Sequence, residues 1–291
     1  MRPGHPEKNR FGRQVTEQCG GAARALEGSA VALARTAIAH GLDALAANDL
    51  KIARRWLERA HRLVPHDANA MLALATACLM DDPVVAATLF QSIVDKHDVR
   101  QAWVGLAAAR LRTDGPEAAE QPLSAALSRH AFSPDVTGLA NAVGLRPDSP
   151  GWCALRSDGQ LLIQAPKPAE VRILVDDIAV CGTKLPNGWE SRRTVTVWLG
   201  NVSLLGSPID IRAIRRVAGC VEVYDGGIRG WAWYPADPGT PPVLTMRQSA
   251  RSQPKTFVPC DESIIVPDVG PLARPRSFSL THADLLDVAG L

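Results

Sequence analysis

Residues 52–65 read Ile52-Ala53-Arg54-Arg55-Trp56-Leu57-Glu58-Arg59-Ala60-His61-Arg62-Leu63-Val64-Pro65, and this stretch decides how the first half of the chain is read. Ile52, Ala53, Trp56, Leu57, Ala60, Leu63 and Val64 recur at three- and four-residue steps, which puts them on one stripe of an α-helix. Pro65 cannot continue such a helix, and His66-Asp67 follows it. Within the stripe, Ala53, Leu57 and Ala60 return 33 residues later as Ala86, Phe90 and Ile93, and after another 33 as Ala119, Leu123 and Ala126. Small side chains let a second helix come close, while the bulky one fills the gap between them.

A period of 33–34 residues with two helices per period is the mark of a stacked helical repeat. The region from Ala30 to Ala142, rich in Ala and Leu with Gly and Pro at turns, is expected to be built this way. Its pattern resembles the tetratricopeptide repeat family over roughly residues 31–135. Gly41 falls where that family favours a small residue in its first helix, and Ala53, Leu57, Ala60 and Pro65 fall on its second-helix and terminal-proline positions. The second unit departs from the pattern, with Leu74 in place of the small residue and no proline matching Pro65. The third has Ala107 and a Pro134 near its end. The resemblance implies a protein or peptide partner bound on a concave helical face.

Arg55, Arg59 and Arg62 share one helical face, with Arg54 beside them. Such a face suits an acidic peptide or a phosphate; the plainer alternative is a solvated outer face softened by Glu58 and Asp67. Trp56 and Trp103 each sit in an apolar stripe and are expected in the core.

Composition changes at Leu145-Arg146-Pro147-Asp148-Ser149-Pro150, which reads as a boundary. Beyond it, short β-branched runs at residues 160–163, 171–175, 194–199, 221–224 and 243–246 alternate with Gly, Pro, Asn and Asp, the spacing of a β-sandwich or barrel. Asp225-Gly226-Gly227 separates Val221 and Val223 from Ile228, Trp231 and Trp233 and is expected to close a hairpin. The expected organisation is α+β: a disordered leader over 1–29, helical repeats over 30–144, a first β-module over 145–217 and a second over 218–291. Gly151-Trp152-Cys153-Ala154 and Gly230-Trp231-Ala232-Trp233 echo one another, which supports two related modules. The second closes with Asp284 to Leu291 before any counterpart of Leu204-Leu205-Gly206-Ser207-Pro208 appears, so the chain is expected to be a fragment of something longer.

Gly230-Trp231-Ala232-Trp233-Tyr234-Pro235-Ala236-Asp237-Pro238, with Pro242-Val243-Leu244 after it, resembles the G-W-A-x-x-P-x-D-P segment of accessory β-modules in large bacterial cell-surface glycosyltransferases. These modules often follow tetratricopeptide repeats. The resemblance spans residues 146–291 and implies a non-catalytic accessory part, with a glycosyltransferase or a glycan as further partner. Trp152, Trp231, Trp233 and Tyr234 are candidates to stack on sugars; the alternative is core packing, with strand alternation burying Trp231 and Trp233 and turning Tyr234 outward.

No catalytic pattern is legible. There is no D-x-D to hold a metal on a diphosphate, no phosphate-cradling glycine loop, and no H-E-x-x-H or G-x-S-x-G. Among His5, His40, His61, His66, His97, His130 and His282, only His61 and His66 are neighbours, and Pro65 lies between them. Cys19, Cys78, Cys153, Cys181, Cys220 and Cys260 form no C-x-x-C pair. No cofactor or metal is expected. With 32 Lys/Arg against 30 Asp/Glu, the 291 residues show no nucleic-acid-binding charge. No run of about 18 apolar residues predicts a membrane span. The first twenty residues lack the apolar core of an export signal, so a cytoplasmic protein with reduced thiols is expected. The leading functional expectation is a non-catalytic interaction scaffold or adaptor. The alternative is a carbohydrate-binding or spacer region of a glycosyltransferase.

Overall fold

The computed structural model describes residues 29–167, 170–247, 255–259, 264 and 272–281. The expected leader up to residue 28, Cys19, Cys260, His5, His282 and the closing segment from Asp284 lie outside the described residues. The fold is mixed α+β, with helices through the N-terminal half and antiparallel sheets in the C-terminal half. The chain divides into two compact units, Met1–Asp81 and Asp82–Leu291.

In the first unit, α1 covers 29–46, α2 is Leu50–Leu63 and α3 is Ala68–Cys78. Asp49 starts α2, its Oδ1 accepting from the Ile52 N–H at 3.1 Å, and Asp67 starts α3 by accepting from Ala70 N–H at 2.7 Å. Each cap satisfies a backbone donor that the first turn leaves open. The triplet Ala53, Leu57 and Ala60 is fully buried. A core of Ala37, Ala60 and Ala70 joins the three helices, with Ile38, Trp56 and Val64 packed at its margin. Gly41 shows why a small residue stands in α1: a Cβ there would lie 2.5 Å from Leu57 Cγ, so α1 can approach α2 only without one. The helix α3 is buried on nearly all sides, as its almost wholly apolar sequence requires.

The second unit opens with α4 (Pro83–Val94), α5 (Arg100–Thr113), α6 (Pro116–Arg129), a 3₁₀ turn at Pro134–Val136 and α7 (Thr137–Gly144). The two later copies of the triplet, Ala86/Phe90/Ile93 on α4 and Ala119/Leu123/Ala126 on α6, are buried as well. Strands follow: β1 (Trp152–Leu155), β2 (Leu161–Gln164), β3 (Val171–Val175), β4 (Ile178–Val180), β5 (Thr194–Leu199), β6 (Val202–Ser203) and β7 (Ile209–Asp210). Then come α8 (Ile211–Ile214), β8 (Ala218–Tyr224), β9 (Gly227–Trp233), β10 (Leu244–Met246), β11 (Lys255–Phe257) and β12 (Arg276–Thr281).

The described strands form four antiparallel sheets, ordered β1-β2, β4-β3-β5-β6 with β7 also on β5, β12-β9-β8, and β10-β11. Alternation does its ordinary work in the second of these. Ile173 and Val175 on β3 pair with Val197 and Val195 on β5, and all four point into one core with Leu161, Trp189, Ile209 and Ile211. A neighbouring core mixes Leu123, Leu127 and Ala140 from the helices with Trp152 and Ala154 from β1. The helices α4–α7 therefore share a compact unit with the strands, and the change of composition at 145–150 lies inside that unit.

Candidate functional site

Spacings of four and three residues place Arg55, Arg59 and Arg62 on one face of α2. All three are exposed, and none has a carboxylate partner among the described residues. The Arg59 guanidinium lies 5.8 Å from the centroid of the Trp56 ring, which in turn sits 5.0 Å from the His40 ring on α1. Arg54 is drawn to the other side, its Nε donating to Glu58 at 2.9 Å. The face is cationic, with one arginine steadied on an aromatic ring and its outward N–H groups open to an acidic partner.

The four aromatic residues Trp152, Trp231, Trp233 and Tyr234 are not brought together. Trp152 is only 2% exposed; its ring stacks on Phe132 at 5.6 Å, and its Nε1–H donates to Asn141 Oδ1 at 2.9 Å. Trp233 and Tyr234 are each 5% exposed. The inward position of Tyr234 corrects the expectation from alternation. Strand β9 ends at Trp233, so Tyr234 falls in the following turn, where the Arg215 guanidinium lies 4.2 Å from its ring centroid. Trp231 alone is half-buried at a surface. It shares one face of the β12-β9-β8 sheet with Cys220, Glu222, Arg229, Ser277 and Ser279, in an open groove of about 670 Å³. Tyr224 extends the same face, its hydroxyl 3.3 Å from Ser279 Oγ.

Trp103, expected in the core, uses its indole for something the sequence did not disclose. Its Nε1–H donates to Asp98 Oδ1 at 3.0 Å, and His130 Nε2 lies 3.2 Å from the same oxygen. Arg129 donates to Asp98 Oδ2 at 2.8 Å, and Arg216 approaches it at 3.6 Å. Burial alone would raise the Asp98 carboxyl; the hydrogen bonds from His130 and Trp103 and the charge of Arg129 outweigh it and hold the group well below the usual carboxylate range. For His130, burial lowers the imidazole and overcomes the pull of Asp98. His130 is therefore neutral near pH 7 and holds Asp98 by an Nε2–H hydrogen bond, while its bare Nδ1 is buried without a partner. This arrangement clamps the segment before α5 to the end of α6. Its only trace in the sequence is an acidic residue two positions ahead of a helix start.

Among the described residues, no group of three or more His, Cys, Asp or Glu is placed to hold a metal ion. No described helix is long and apolar enough to cross a membrane. Cys153 is buried, and burial pushes its thiol up to about 12, far from the thiolate that nucleophilic chemistry needs. No protein-family model matches this chain, and no curated protein matches it.

Proposed function

We propose that this chain is a non-catalytic interaction scaffold or adaptor. Its helical part, a repeat of the tetratricopeptide type, docks an acidic peptide segment, and its strand-rich, sandwich-like part acts as a spacer. The observation that carries the reading is the exposed row Arg55, Arg59 and Arg62 on α2, with no carboxylate partner among the described residues. The repeat reading is supported by burial of the recurring triplets and by the close approach at Gly41. A cytoplasmic setting, with reduced cysteines, accompanies it.

The test is fluorescence anisotropy of a labelled Glu-rich peptide at low ionic strength, where exposed charges are least screened. Saturable binding that weakens with salt and falls at least about tenfold (about 1.4 kcal/mol) in Arg55→Glu/Arg59→Glu is the expected result. No saturable binding, or equal affinity in the variant, rejects this face as the docking surface.

A second reading rests on Trp231. A half-buried indole beside Glu222, Arg229, Ser277 and Ser279 offers a stacking face with hydrogen-bonding neighbours, which supports a carbohydrate-binding accessory region of a bacterial glycosyltransferase that builds cell-surface polysaccharide. Titration of an oligosaccharide panel against intrinsic fluorescence, repeated with Trp231→Ala, separates the two readings. A saturable change lost in the variant favours the glycan, and no change removes it.

A further inference from the structure

A cleft of about 400 Å³ opens in the second unit, where the segment leading into α5 faces the chain around Arg216 and Trp233. Lys96, His97 and Arg216 line it, and Trp233, Pro235 and Pro238 add apolar lining. Asp98 is the one carboxylate among the described lining residues, and its charge is already engaged. Oδ1 accepts from Trp103 and His130, and Oδ2 accepts from Arg129 at 2.8 Å, leaving Arg216 at 3.6 Å, beyond a good hydrogen bond. Lys96 and Arg216 thus line a cleft whose one carboxylate is already bonded to Arg129, Trp103 and His130. The first turn of α5 adds to this: its cap residue Val99 has no side chain that accepts from the first N–H groups, so the positive end of a 14-residue helix is uncapped beside the cleft.

We propose that this cleft binds the phosphate group of a small phosphate monoester. Lys96 and Arg216 pair with its oxygens, and the first turn of α5 offers backbone donors. Two cationic side chains lining one cleft match the charge of a dianion better than that of a single carboxylate. The volume falls in the range of small-molecule pockets and exceeds what a bare phosphate fills, and the lining from Trp233 and Pro235 is apolar, so the ester carries an organic body that packs there. Asp98, its oxygens taken by Trp103, His130 and Arg129, leaves Arg216 available to the ligand. This site is separate from the arginine row of α2, and its test is independent of the proposed scaffold role.

Calorimetric titration of the full chain with inorganic phosphate and with phenyl phosphate, at low ionic strength, tests the proposal. The Lys96 ammonium makes no hydrogen bond or ion pair among the described residues, so Lys96→Gln is expected to leave the thermal unfolding midpoint unchanged. Saturable binding of both probes is expected, tighter for phenyl phosphate and at least about tenfold weaker in Lys96→Gln and Arg216→Gln. No saturable heat from either probe, or equal affinity in Lys96→Gln, overturns the site. Phenyl phosphate binding no better than inorganic phosphate overturns the assignment to an ester with an apolar body.

Discussion

Phe90 on α4 occupies the space that a side chain at Gly105 on α5 would need: a Cβ at Gly105 would lie 2.3 Å from Phe90 Cζ, with two more ring carbons within 2.6 Å. Gly41 and Leu57 stand in the same relation between α1 and α2. A large residue on one helix is thus seated against a glycine on its partner, once in each compact unit.

Gly105→Ala is therefore expected to destabilise the second unit by about 1–3 kcal/mol, the usual cost of overpacking a close-packed core. Phe90→Leu should recover part of that loss in the double variant, since the aromatic ring makes the clash. Urea unfolding of the single and double variants measures both. A Gly105→Ala protein as stable as the parent would mean that the ring moves aside freely.

Charge reversal at Arg55 and Arg59 is expected to change stability by no more than about 0.5 kcal/mol, because both side chains are exposed and neither holds a carboxylate. The same substitutions should weaken salt-sensitive peptide binding at least about tenfold. A large fall in the unfolding midpoint would mean that the row supports the fold instead of a partner.

Acid is expected to weaken the second unit in two steps. The folded pKa of His130 is lowered, so below about pH 6.5 the unfolded chain takes up a proton that the folded imidazole refuses, and stability falls as pH falls. The folded pKa of Asp98 is also lowered, so its contribution is present above the ordinary carboxylate pKa of about 4 and is lost as pH drops below that value. His130→Gln, which keeps a donor towards Asp98, should flatten the upper step and spare the lower one. Stability against pH, read by urea unfolding, distinguishes the steps; an unchanged profile in His130→Gln would refute the neutral imidazole.

Thiol reactivity should sort by burial. Cys181 and Cys220 are exposed and are expected to label quickly with a maleimide, while Cys78 and Cys153 label only as the chain unfolds. For Cys153, the thiol pushed up to about 12 reinforces the steric protection. Peptide mapping by mass spectrometry after a short pulse reads each site, and early labelling at Cys153 would contradict the buried position.

Local pattern made much of the fold legible. The three triplets at a 33-residue spacing are buried on helices, and the runs at 171–175 and 194–199 are β3 and β5 as expected. The Asp225-Gly226 turn joins β8 to β9, with Tyr224 paired to Gly227. Helical and strand periodicity are properties of neighbours in sequence, so a single chain displays them. Tyr234 shows where pattern ends: alternation sent it outward, but the strand stops one residue earlier and Arg215 stacks on its ring.

The sequence by itself determined the alternation of helices and then strands, the need for a small residue at Gly41 and the arginine row of α2, because hydrophobic periodicity and side-chain size act over one or two turns. The seat of Phe90 against Gly105 came only from the packing of α4 on α5. Only the tertiary structure decided that Trp152, Trp231, Trp233 and Tyr234 lie in different surroundings, and that Asp98 gathers donors from Trp103, His130 and Arg129. The Arg129 and His130 bonds to Asp98 span 31 and 32 residues. Contacts over such distances follow from how α5 and α6 pack, and no local rule of spacing encodes that packing.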